Sequence, residues 1–190
     1  MREIFRLGLI LMTYALIAGA ALSLVGLKTM PVIAENLARA EEEARIFVLP
    51  AMNGGFESIE GGALSYWIGF RDEAKTVVGG YVFTALGMGY SSEIRTMIGV
   101  DENFAIVGTN VLFQQETPGL GTKIIEVSSG DSDPWYMRQF IGKSLPEQLK
   151  LSSDGGGIDG ISGATISSRA VAESIERGLA SLQETVGGNR

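Results

Sequence analysis

Two glycine-bearing loops hold the residues best suited to chemistry: Glu116 to Lys123, "ETPGLGTK", and Asp159 to Ser168, "DGISGATISS". In the second, Thr165, Ser167 and Ser168 offer hydroxyls where a helical pattern begins, and Gly163 and Ala164 leave the backbone open to close approach. The first turn of a helix has unpaired N–H groups and the positive end of the helix dipole, so the position suits an anion such as a phosphate. A plainer reading stands beside it: Ser and Thr cap helices, and Thr165 need do no more than that. The loop is not a G-x-x-x-x-G-K-[ST] phosphate loop, nor a G-x-G-x-x-G turn after a strand. In the first loop Pro118-Gly119 marks a turn, and Gly121 keeps bulky side chains out.

Composition removes much of the remaining chemistry. The 190 residues include no Cys and no His. Disulfides, Cys/His zinc sites, cysteine nucleophiles and a Ser-His-Asp triad are therefore excluded. A metal would have only oxygen ligands, and redox chemistry would need a cofactor. The formal charge of -7, without a basic stretch, argues against nucleic acid.

The elements that must position these loops follow from patterning. Residues 7 to 27, "LGLILMTYALIAGAALSLVGL", carry no charge and lie between Arg6 and Lys28. At ~1.5 Å per residue such a helix matches a hydrocarbon core of ~30 Å. The run exceeds the ~7–15 residue core of a secretory signal peptide, so a retained anchor over residues 1–29 is expected. Arg2 and Arg6 place its N-terminus in the cytoplasm and the main domain outside. Ile33, Leu37, Ala40, Ala44 and Phe47 then form one apolar face, which predicts an amphipathic connector helix over 30–50 with Pro31 in its first turn. From residue 51 a separate domain is expected. "ALSYWIGF", "TVVGGYVFTALGMGY", "EIRTMIGV" and "FAIVGTNVLF" predict an antiparallel meander, its last hairpin turning at Asp101 to Asn103. Gly79, Gly80 and Gly87 predict a bulge or a close backbone approach. A short helix after Asp133, a flexible loop "LSSDGGGIDG" and a last helix from about Ser168 to Val186 complete an α+β class.

"DGISGATISS" resembles the Asp-x-x-Ser-Gly-Ala-Thr motif of FMN-binding domains whose flavin mononucleotide is joined to the threonine through its phosphate. "ETPGLG" resembles the companion loop of the same domains. With one N-terminal apolar run and this length, the chain resembles the family of G subunits of the Rnf complex, an ion-pumping ferredoxin:NAD oxidoreductase. The similar but longer C subunit of the sodium-pumping NADH:quinone oxidoreductase is the alternative. A membrane-tethered flavin-binding sensor or assembly module is a reading from another class. The resemblance implies covalent FMN on Thr165, with Asp159, Ser162, Gly163 and Ala164 read by a flavin transferase that uses FAD as donor. It also implies that Glu116, Thr117, Leu120 and Gly121 lie near the flavin ring. Lys143 and Trp135 are further candidates, and Trp135 reads equally well as core. The chain would be an electron carrier with no catalytic site of its own, among the membrane, iron-sulfur and flavin subunits of the complex. One departure stands out. Relatives often carry Gly-Tyr-Gly-Gly-Pro before the hairpin, where this chain has Gly89-Tyr90-Ser91-Ser92-Glu93, which puts a role of this turn near the flavin in doubt.

Overall fold

The computed structural model describes residues 1–60, 64–128, 130–131 and 133–187. Ala63, which opens the first predicted strand, lies outside the described residues. The chain divides into two compact units, Met1–Glu41 and the residues from Glu42 onward.

The first unit is most of one long helix, α1 (Arg2–Val48), and this helix is long and apolar enough to cross a membrane. Its apolar side chains are exposed. Its two threonine hydroxyls are satisfied within the helix, as suits an apolar solvent: Thr13 Oγ1 donates to the Leu9 carbonyl at 2.8 Å and Thr29 Oγ1 to the Val25 carbonyl at 3.0 Å. Pro31 lies inside α1 rather than in the first turn of a separate connector. The helix passes through it because one missing N–H and a local ring clash interrupt a ladder of 47 residues at one point only. The expected apolar stripe is also displaced. Ala44 and Val48 are buried, whereas Leu37 and Phe47 are more than half exposed.

The second unit is a five-stranded antiparallel sheet in the order β1 (Gly55–Ile59), β2 (Tyr66–Phe70), β3 (Val78–Met88), β4 (Glu93–Asp101), β5 (Ile106–Phe113). The meander is as the β-branched and aromatic runs predict, with β1 in addition. β1 reads "GFESI", glycine-led and with two adjacent polar residues that break the alternation of a strand, so it carries little strand signal. The last hairpin is fixed by Asp101, whose Oδ1 accepts the amides of Asn103 at 2.8 Å and Ala105 at 2.9 Å. The register shifts between Gly69 and Phe70 opposite Gly80, which is the irregularity expected at the glycine pair.

Both faces of the sheet are covered in the middle. On one face the last turn of α1 places Val48 and Leu49 against Val82 and Met97. A Cβ on Gly99 or Gly108 would lie 2.2 or 2.3 Å from the Val48 carbonyl oxygen, so the backbone of this turn rests directly on the strands. On the other face lies α3 (Thr165–Gly187), whose Val171, Ile175, Leu179 and Leu182 are fully buried among Phe83, Ile98 and Val100. Each such side chain contributes ~1.5–3 kcal/mol, so packing rather than any single cap holds α3. A short helix, α2 (Trp135–Arg138), closes the same face. The stretch "LSSDGGGIDG" is tied down rather than loose. Leu151 and Ile158 are buried and bridged, and 3-10 turns run over Pro146–Leu149 and Ser152–Asp154.

Candidate functional site

The two glycine loops meet. Tyr90, Glu116, Thr117, Leu120, Gly121, Gly163, Ala164, Thr165, Ile166 and Ser167 line one open-sided cavity of about 530 Å³. That lies within the ~300–1,000 Å³ of small-molecule sites. Grooves along Met1 to Met12 are flanks of an isolated apolar helix and bring no chemistry together.

Each loop reaches the cavity through the same kind of turn. Leu120 N donates to the Thr117 carbonyl at 3.1 Å with Gly119 at φ +74°, and Pro118 occupies the position before it. Ala164 N donates to the Ile161 carbonyl at 3.0 Å with Gly163 at φ +79°. Both are type II turns, which need a residue tolerant of positive φ third in line. The turns touch: a Cβ at Gly163 would lie 3.4 Å from Leu120 Cδ2.

α3 begins at Thr165, three residues before the predicted start. Ala164 therefore stands at the N-cap and offers no side-chain oxygen. Ser167 and Ser168, whose hydroxyls the sequence places at the helix start, are buried and turned inward. Ser168 Oγ donates to the Ala164 carbonyl at 2.7 Å and accepts the Ile161 amide at 3.1 Å, while Tyr136 Oη donates to the Ser168 carbonyl at 2.7 Å. Burial raises the Tyr136 phenol well above its ordinary range, so it remains a donor. The amides of Thr165, Ile166 and Ser167 have no acceptor among the described residues. Thr165 itself is exposed. An anion-ready helix start thus faces the cavity, and its first residue carries a hydroxyl that has no partner among the described residues.

Glu116 is 5% exposed, and its carboxylate is fully engaged by protein donors. Oε1 accepts the amides of Ser91 and Ser92, both at 3.0 Å. Oε2 accepts the Tyr90 amide at 3.1 Å and Ser167 Oγ at 2.6 Å. Burial pushes the carboxyl up, but the Ser167 hydroxyl and the three amides outweigh it and hold Glu116 below its ordinary range. The Gly89–Ser92 turn is therefore organised by backbone N–H groups, so serines at 91 and 92 fill it without the glycine pair. Ser92 Oγ adds a further tie by accepting the Gln115 amide at 2.7 Å.

Thr165, Gly163, Ala164, Glu116, Thr117, Leu120 and Gly121 are brought together, as the sequence suggests. Ser162 and Lys143 do not line the cavity. Ser162 is exposed in the turn, and Lys143 Nζ lies beside Gly157, 3.2 Å from where a Cβ would stand. Asp159 is held through its backbone, donating its amide to Gln139 Oε1 at 2.7 Å. Trp135 packs on the core, edge-on to Tyr136. Sequence reasoning missed Tyr90 and Ile166 as cavity walls, and it missed what Ser167 holds. Tyr90 and Ser167 meet Glu116 across 26 and 51 residues of chain, and no local pattern marks such a meeting. Exposed Leu120, Ile166 and Tyr90 give the site an apolar rim around a polar floor. The arrangement suits a planar apolar ring carrying a phosphate.

Residues 89–180 match the FMN-binding domain family. The G subunit of the ion-translocating oxidoreductase complex of Cereibacter sphaeroides is 40% identical over 122 residues, which cover 62% of this chain and 52% of that one. The chain thus spans about half the length of that relative. The G subunit of the Na(+)-translocating ferredoxin:NAD(+) oxidoreductase complex of Acetobacterium woodii is 30% identical over 199 residues, covering 94% of this chain and 91% of that one. Among solved structures, NqrC of Shewanella oneidensis aligns with a TM-score of 0.49 at 23% identity over 66% of this chain and 61% of that one.

Proposed function

This chain belongs to the family of G subunits of ion-translocating oxidoreductase complexes, and on that premise we propose that it is a membrane-anchored FMN protein that relays electrons within such a complex, its FMN joined by a phosphoester to Thr165. The observation that carries this reading is the exposed Thr165, first residue of α3, beside three amides that have no acceptor among the described residues. A phosphodiester there keeps one negative charge, which these amides and the helix dipole favour. Leu120, Ile166 and Tyr90 would flank the flavin ring, and Thr117 would offer it a hydrogen bond. Bound FMN supplies the redox chemistry that no side chain of this chain supplies. Glu116 is already committed to protein donors, so proton transfer is no part of its role. Ser162 and Asp159 would serve the enzyme that attaches the flavin, since both are exposed outside the cavity. The apolar part of α1 would anchor the chain, with its N-terminus in the cytoplasm, the FMN-binding domain outside and the remaining subunits of the complex as partners.

Thr165→Ala tests the attachment. In cells with an active flavin transferase, the wild-type band should fluoresce on a denaturing gel, Thr165→Ser should keep part of that signal and Thr165→Ala should lose it. Thr165 is exposed and, among the described residues, its side chain makes no bond for the fold to lose. A fluorescent Thr165→Ala band would refute the proposal.

A further inference from the structure

We infer that Glu116 is a positioning residue: its carboxylate latches the Tyr90–Ser92 turn to the first turn of α3 through Ser167, and so holds one wall of the flavin cavity in register with Thr165. The inference rests on the proposed function for what the cavity holds, and on geometry for the latch itself. Each carboxylate oxygen serves more than one donor. Oε1 takes the Ser91 and Ser92 amides, and Oε2 takes the Tyr90 amide together with Ser167 Oγ. The carboxylate therefore joins three segments that are far apart in sequence: the β3–β4 turn, the Glu116 loop and α3.

The surrounding backbone is shaped to this group. A Cβ at Gly89 would lie 2.5 Å from Glu116 Oε1, and one at Gly121 would lie 2.7 Å from Oε2 and 2.9 Å from Ser167 Oγ. The two glycines admit the carboxylate from either side, and no room is left for it to swing toward a ligand. Tyr90 and Ser167 both line the cavity, so the contacts that end on Oε2 connect the aromatic wall to the residue two places after Thr165. If the latch opens, the Tyr90 wall loses its fixed distance from the attachment residue, while the attachment residue itself is untouched.

The latch predicts that Glu116 and Ser167 act as one unit. The test uses the full-length chain, purified with its flavin, as wild type, Glu116→Gln, Ser167→Ala and the double variant. Gln has the shape of Glu, but its amide nitrogen cannot accept the Tyr90 N–H and must either oppose that donor or surrender the Ser91 and Ser92 pair. Three quantities are read: covalent flavin on a denaturing gel, fluorescence anisotropy of the attached flavin, and the unfolding midpoint. The latch predicts an unchanged gel signal in all four proteins. Each single variant should show lower anisotropy and a midpoint lower by roughly 5 °C. The double variant should fall no further than Glu116→Gln alone, because both changes break one link. Strictly additive losses, or a Ser167→Ala protein that matches wild type in midpoint and anisotropy, would overturn the inference. So would a gel signal lost from Glu116→Gln at an unchanged midpoint, since Glu116 would then act on attachment and not on position. A wild-type band without fluorescence would instead count against Thr165, while the midpoint cycle would still decide the latch.

Discussion

Glu116 is ionised in the folded protein for a reason that can be followed bond by bond. Burial works against its charge, and one hydroxyl and three amides restore it, which leaves the folded-state pKa below the ordinary value of 4.5. The sign of the consequence is fixed by linkage. The unfolded chain takes up this proton at higher pH than the folded one, so the stabilisation is complete above about pH 5 and is lost as pH falls through the folded-state pKa. Glu116→Gln should therefore lower the unfolding midpoint at neutral pH, and the gap to wild type should narrow as pH falls below the ordinary value of 4.5. A gap that stays constant from neutral pH to well below 4.5 would mean that the charge is not what the donors stabilise. The same residue shows what the sequence cannot carry. "ETPGLG" marks the loop, yet nothing near Glu116 in sequence says that its partners are Tyr90 to Ser92 and Ser167. Thr165 was legible as a helix-start hydroxyl, but its freedom became visible only when Ala164 proved to be the N-cap residue and Ser167 and Ser168 proved to face inward.

At the level of elements, the strands were legible where β-branched and aromatic residues run together, and β1 was not, because a five-residue edge strand with a leading glycine and two adjacent polar residues resembles a loop. The helix boundaries failed for a related reason. The Thr-Ile-Ser-Ser start carries only a weak local preference, which the packing of α3 overrides, and at Pro31 a strong local preference is outweighed by the long helix on either side. One contact between elements bears directly on the site's scaffold: the last turn of α1 sits on Gly99 and Gly108. Gly99→Val would drive a branched side chain into the Val48 carbonyl, where even a Cβ would be 2.2 Å away. Overpacking of this kind costs ~1–3 kcal/mol, so the unfolding midpoint should drop by several degrees. Gly26→Ala, whose new Cβ meets nothing within 4 Å, should leave it unchanged or slightly raised. Equal midpoints for Gly99→Val and wild type would show that the end of α1 is not seated on the sheet.

For the molecule as a whole, the arginines at positions 2 and 6 precede the charge-free run, and the proposed topology puts everything after it outside the cytoplasm. Reporter fusions at the C-terminus should be active only as a reporter that works outside the cytoplasm; activity of a cytoplasm-only reporter would reverse the orientation. The account depends most on the covalent flavin. Its most direct measurement is the intact mass of the chain purified from its native membrane, followed by fragmentation of the peptide that spans residues 159–169. The account predicts a mass greater than that of the bare sequence by one FMN less one water, with the added mass localised to Thr165. A chain at its unmodified mass, or a flavin localised to Ser162, Ser167 or Ser168, would contradict it.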